Sequence, residues 1–362
     1  MIESVAAAIE RKDYKTAARL LKPLLTEKPK DPWVQLYYGQ LQEFSGKNEA
    51  AEKVYLRLLK GAENPKVALQ ARRGIDRITA LMKEKRQEAI AKAQEDPTNA
   101  GTGFLVLEAV IGDQRAIAAK RLAKILNLDV YSAQFQIPSR GWRLYRTGPF
   151  AEIQVYGEEL QQAGIPVFWK SLADIRAIHV FKVDYIQSMT GQPTVVCRND
   201  ADQVGHLSFP WSDVTQMVKG RLPIFEQVVD LDAFKKLKRK EQTQDYTQML
   251  DLHLPGRKSI LRFCDRTYQF QKGIPMGETV EGRMSKSQSS IRLQWNQMMA
   301  MLDQQVGDRP TYTEFNSFAQ TAFDHLDLLE PIPTHIELFR KEHTHWDPAY
   351  QLYSGLAFRA NA

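Results

Sequence analysis

The chain has 362 residues, too many for one core when single domains cluster near ~100 to 150 residues, so two to four units are expected. Hydrophobic residues make up 43% and charged residues 25%, ordinary globular values that exclude a wholly disordered chain. A net charge of +6 permits contact with nucleic acid or an anionic membrane without requiring it.

The first fifteen residues, MIESVAAAIERKDYK, interleave apolar positions with Glu3, Glu10 and Arg11 and read as an amphipathic helix rather than a leader. No run approaches the ~18 apolar residues of a membrane span. Cys197 and Cys264 lie far apart and outside CxxC spacing, which excludes a disulfide framework and a cysteine-built zinc site and predicts a reducing compartment. The expected location is cytoplasmic, at most peripheral to a membrane.

Residues 1–98 are helical in period and self-similar at an offset of 34 residues: Tyr14, Ala17, Leu21 and Leu24 are followed by Asn48, Ala51, Tyr55 and Leu58. The stretch DPWVQLYYGQLQEFSGKNEAAEKVYLRLLKGAENP places Gly39 and Ala51 where two helices approach closely, with Ser45-Gly46-Lys47 as the turn between them. These residues resemble a tetratricopeptide repeat, departing from it at Gln35 and Gln42, where large apolar residues are usual. A third unit starts at Pro65 and runs into a long polar helix suited to capping an open stack. The resemblance implies helical hairpins whose concave groove holds a protein partner on Trp33, Gln40, Glu43, Phe44, Gln70 and Arg77. Trp33 and Phe44 read equally well as packing between repeats.

A breaker cluster from Asp96 to Gly103 separates this region from residues 103–172, a small α/β unit. The pattern predicts strand 104–110, helix 113–126, short helix 131–136, strand 143–146, helix 150–163 and strand 165–169. Asn127-Leu128-Asp129 reads as a helix C-cap followed by an N-cap. The stretches IAAKRLAKILNLDVYSAQ and ELQQAGIPVFW resemble the C-terminal domain of the bacterial ribosomal stalk protein, which recruits translation GTPases. Lys120 stands at one of that family's basic contact positions, whereas Ala123 and Gln134 stand at others.

Residues 174–275 alternate over Ile175–Ile186, Thr194–Arg198, Gly205–Phe209, Leu250–Leu254 and Ser259–Phe263, with Tyr268–Phe270 as a closing strand. A β-rich roll or barrel is expected, similar to a pleckstrin-homology domain, with one helix within Phe234–Lys240. Anion contacts fall on Lys235, Lys236, Lys238, Arg239 and Lys240 and on the turn residues Arg257 and Lys258, although a solvated surface accounts for both groups. A linker, 276–290, leads to a helical C-terminal region, 291–362. There IRLQWNQMMAMLDQQVG and TYTEFNSFAQTAFDHLDLLE read as helices, the second capped by Thr311 or Thr313, with Trp295, Met298, Met299 and Met301 as core. His335, His343 and His345 beside Glu342 and Asp347 are the clustered metal-capable groups; the surroundings read as a solvated tail, and no metal site is assigned.

The fold class is therefore multidomain α plus α+β: repeat-like hairpins, a small β-α-α-β-α-β unit, a β-rich roll or barrel, and a helical C-terminal region. No GxxxxGK[ST], GxSxG, HExxH or kinase set is present, and the paired Asp200 and Asp202 sit in a turn without a partner base. The expected function is a non-catalytic adaptor that docks a protein partner in the repeat groove, with no cofactor and no small-molecule ligand. The alternatives are an RNA- or ribosome-associated factor and a peripheral-membrane assembly factor. Together with FLVLEAVIG, PSRGWRLYRTGPF and WSDVTQMVKGRLPIFEQ, the repeat resembles uncharacterised tetratricopeptide-repeat proteins of cyanobacteria. That resemblance implies a cytoplasmic or thylakoid-adjacent setting and brings no activity.

Overall fold

The computed structural model describes residues 1–61, 64–231, 237–275, 279–280, 283–284, 290–338 and 344–360, the stretches 226–231, 237–241, 279–280 and 283–284 by their backbone alone. The chain divides into two compact units, Met1–Glu95 and Asp96–Ala362.

The first unit is built from α1 (Ile2–Glu10), α2 (Tyr14–Glu27), α3 (Pro32–Phe44), α4 (Asn48–Lys60) and α5 (Pro65–Gln94). Asp13 caps α2 by accepting from the Thr16 N–H, and Asp31 caps α3 by accepting from Trp33 and Val34. Asn64 does the same for α5, and α3 and α5 both open on proline, whose missing N–H costs nothing at a first helical position. Val5, Ala17, Leu21 and Val34 form one core and Leu36, Ala51, Tyr55, Val67 and Ala71 the next, so each hairpin buries its apolar face against its neighbour.

In the second unit, β1 (Thr102–Glu108) leads through α6 (Gln114–Leu126) and α7 (Val130–Gln136) to β2 (Trp142–Pro149), then through α8 (Phe150–Gln162) to β3 (Val167–Ser171). The element order is the one the pattern predicts. β1 lies between β2 and β3, antiparallel to both. Phe104, Leu105, Val106 and Leu107 are all buried, as a continuous apolar run requires when both sheet faces are covered. Leu105 and Leu107 pack with Leu122 of α6 and Ile153 of α8, whereas Phe104 and Val106 join a second core with residues from the C-terminal helices.

After α9 (Leu172–Arg176) come β4 (His179–Ser188), β5 (Thr194–Arg198), β6 (Val204–Ser208), β7 (Gln216–Leu231), β8 (Leu237–Leu254) and β9 (Ser259–Cys264). The short pair β10 (Thr279–Val280) and β11 (Arg283–Met284) precedes α10 (Ile291–Val306), β12 (Thr311–Tyr312), α11 (Phe315–Ala322), α12 (Leu326–Leu329) and α13 (Trp346–Ala360). A seven-stranded mixed sheet runs β12-β7-β8-β9-β4-β5-β6. Leu250, Leu252, Leu261 and Phe263 meet Trp295, Met298 and Leu302 of α10 on one face. Val218, Leu222 and Met249 on the other face meet Tyr350, Tyr353 and Ala357 of α13.

This arrangement corrects several expectations. The described residues form no closed barrel: β12 and β6 are sheet edges, and helices cover the faces that a barrel would fold inward. Residues 172–176 are helical because Ser171 and Asp174 make a reciprocal capping box, so the strand starts at His179. Leu237–Lys240 belongs to β8, paired with β7 as far as Leu231↔Leu237, and is no helix; Phe234–Lys236 lies outside the described residues. Tyr268–Phe270 is not a strand; the Tyr268 hydroxyl accepts from the Ile186 N–H at 2.9 Å and so fastens this loop to β4. Glu314, not Thr311 or Thr313, is the N-cap residue of α11, because Thr311 is drawn into β12. Residues 347–358 are buried without exception, the opposite of a solvated tail.

Candidate functional site

In the N-terminal unit the sequence places glycines at Gly39 on α3 and Gly74 on α5, and the Tyr55 ring of α4 lies against both. A Cβ at Gly39 would stand 2.7 Å from the ring and one at Gly74 only 2.4 Å from it. The Tyr55 hydroxyl donates to Glu43 Oε2 at 2.6 Å. Arg77 then closes on the same carboxylate with two bonds, Nε to Oε1 at 2.7 Å and Nη2 to Oε2 at 2.8 Å, the planar fork that suits a guanidinium. Glu43 and Arg77 are 34 residues apart, the offset of the repeat itself. Burial, followed by the hydrogen bond to Glu43, pushes the Tyr55 hydroxyl well above the usual tyrosine range, and the bond to Glu43 raises Arg77. Both groups keep their protons, so the pairing persists across neutral pH.

The other groove candidates are placed differently. Trp33 is half-buried beside Tyr37, with ring centroids 6.0 Å apart, and packs on the core of α3, α4 and α5. Phe44 is 46% exposed and stacks on Tyr14 at 4.3 Å. Gln40 has its Oε1 buried without a hydrogen-bond partner among the described residues. Gln70 is half-buried on α5. Gln35, a departure from the repeat pattern, donates from Nε2 to the Pro29 carbonyl at 2.7 Å and so ties α3 to the preceding loop.

Of the basic candidates, Lys235 and Lys236 lie outside the described residues, and Lys238, Arg239 and Lys240 are placed in β8 by backbone alone. Arg257 lies 3.5 Å from Asp213, and Lys258 takes a left-handed conformation, φ 50°, at the turn into β9. His335 Nδ1 is 2.8 Å from Asp200 Oδ1; His343 lies outside the described residues, and the residue after His345 begins α13. Among the described residues no three metal-ligating groups come together. Lys120 is exposed on α6, whereas Ala123 is buried at 5%, so that position packs rather than contacts a partner.

Sequence reasoning missed a buried polar network under α13. Gln216 Nε2 donates to the Ala357 carbonyl at 2.6 Å, which fixes the amide orientation, and lies 2.8 Å from His253 Nδ1. His253 therefore accepts at Nδ1 and donates from Nε2 to Ser354 Oγ at 3.0 Å, and Ser354 donates onward to Asp251 Oδ2 at 2.5 Å. Arg262 holds Asp251 through Nε and Nη2 at 2.9 and 2.6 Å and stacks over Tyr350 at 5.0 Å. This is not a nucleophilic triad. There, the serine hydroxyl donates its hydrogen bond to histidine and the carboxylate holds the histidine; here the Ser354 hydroxyl donates its hydrogen bond to the Asp251 carboxylate, and all three groups are sealed. Burial drives His253 down to about 4, which keeps the imidazole neutral as the network requires.

A tetratricopeptide-repeat family model matches residues 8–72, the stretch from the end of α1 through α4 into α5 that contains Gly39, Glu43 and Tyr55; Gly74 and Arg77 follow just beyond it. Such repeats generally mediate contacts between proteins. Neither the curated proteins nor the solved structures give a match to the chain. The likenesses to the ribosomal stalk domain and to the cyanobacterial proteins thus rest on the residues alone. No described helix is long and apolar enough to cross a membrane.

Proposed function

We propose that the protein is a non-catalytic adaptor whose repeat unit docks a segment of a partner protein. The observation that carries this is the repeat match over residues 8–72, supported by a clamp, Glu43–Tyr55–Arg77, that holds three successive helices in fixed relation. Rigid placement of the helices is what a docking groove requires, because a preorganised surface loses less entropy on binding. In this reading Glu43 and Arg77 set the shape of the groove, whereas Trp33, Gln40, Phe44 and Gln70 supply contacts.

The test is an affinity capture from native lysate that compares the wild-type chain with Trp33→Ala/Phe44→Ala. A specific protein retained by the wild type and lost by the double variant, with helicity unchanged by circular dichroism, supports the adaptor reading. Retention of the same proteins by both, or co-purification of RNA or lipid in their place, rejects it.

A further inference from the structure

An open cleft of about 410 Å³ lies in the second unit where the C-terminal end of β1, the start of β2, β12 and α13 converge. Cavities of roughly 300–1,000 Å³ are the usual size for small ligands. Its lining contains two carboxylates, Glu108 and Glu314, and three aromatic rings, Trp142, Tyr312 and Tyr353, but no lysine, arginine or histidine. In a chain of net charge +6 this is a local reversal of sign.

The aromatic groups form one cluster: the Trp142 ring lies 4.9 Å from Tyr312 and 5.5 Å from Tyr353. Gly141, at φ +62°, brings Glu314 close, since a Cβ there would stand 2.6 Å from the Cβ of Glu314. Glu314 is the N-cap residue of α11 yet its side chain makes no cap bond, and its ion-pair partner is the exposed Arg140 at 3.5 Å. Glu108 has no ion pair among the described residues. Carboxylates beside aromatic rings attract an organic cation twice over, by charge and through the negative ring faces.

We propose that this cleft binds an organic cation, an ammonium or guanidinium group on an aliphatic stem, held by Glu108 and Glu314 with the Trp142–Tyr312–Tyr353 cluster as its apolar wall. The same chemistry is offered by a free diamine or agmatine and by a lysine or arginine side chain of a peptide. This site belongs to the second unit and stands or falls apart from the repeat unit.

The probe is agmatine, titrated into the full chain while the indole N–H signal of Trp142 is followed by NMR, that signal being the one lost in Trp142→Phe. Saturable movement of the signal is expected, weakened at least about tenfold in Glu108→Gln/Glu314→Gln, with no response to the neutral analogue butylurea. Tyr312→Leu, which leaves both carboxylates in place, weakens binding as well and serves if the double variant loses its fold. Tighter binding of an Arg-containing tripeptide than of agmatine assigns the cation to a protein partner, and the reverse order assigns it to a free amine. No movement with either probe, an equal response to butylurea, or undiminished binding by both variants overturns the proposal.

Discussion

Tyr55 occupies its place because two residues on other helices have no side chain. Replacing Gly74 by alanine would gain up to about 1 kcal/mol of helix propensity. Against this, the new methyl would meet the ring at 2.4 Å, and the ring cannot swing aside because Gly39 lies against it too and its hydroxyl is held on Glu43. Overpacking of this kind costs about 1–3 kcal/mol, so the steric cost outweighs the propensity. Gly74→Ala is therefore expected to lower stability in urea unfolding followed by circular dichroism, and an unchanged or higher midpoint would refute the packing argument. Tyr55→Phe separates ring from hydroxyl: it keeps the packing, leaves Glu43 to Arg77, and should cost about 1 kcal/mol.

At the scale of elements, α3 depends on the residue that caps it. Asp31 accepts from the N–H groups of Trp33 and Val34 at 2.9 and 3.1 Å, two donors that no residue within the helix can satisfy. Asp31→Ala should cost about 1 kcal/mol, whereas Asp31→Asn keeps the acceptor and most of the stability; thermal unfolding of the two variants side by side decides this. The caps between α6 and α7 were legible in the sequence, although the one expected for α11 was not. Asn127 is left-handed at φ 53° and Asp129 accepts from Ser132 at 2.8 Å, both as the local chemistry predicts, because a cap is decided within four residues. The six elements from β1 to β3 were legible for the same reason, each change of period being bounded by breakers. The polar network was not. In MLDLHL the apolar Leu250, Leu252 and Leu254 alternate with Asp251 and His253, a pattern that reads as a strand with one wet face. That face is instead covered by α13, more than 90 residues onward, whose Ser354 completes the network. Nothing local announces such a partner. Of the candidate groove, the family resemblance named Glu43 and Arg77 as partner contacts but not that they bind each other, since pairing across 34 residues depends on the packing of three helices.

Across the whole molecule, buried titratable groups set how stability varies with acidity. Burial places His253 at about 4, below its ordinary 6.5, and holds His325 and His335 low as well. Each favours the neutral ring in the folded chain, so its contribution is complete above pH 6.5 and is lost as the pH falls toward the folded value. For His253 the displacement corresponds to about 3 kcal/mol. Asp265 works in the opposite sense. Burial raises it from 3.8 to about 6, so its contribution is complete below 3.8 and is lost as the pH rises through 6. Because Asp265 is only half-buried, water screens it more than it does His253, and three histidines oppose one carboxylate. Stability is therefore expected to fall on going from pH 6.5 to 4.5, and the two groups can be separated by slope. His253→Gln removes the largest descending contribution and should flatten the profile, whatever it costs overall, whereas Asp265→Asn removes the compensating one and should steepen it. Urea unfolding of the three proteins at pH 7, 5.5 and 4.5 reads both slopes, and parallel profiles would show that neither group titrates on unfolding within this window.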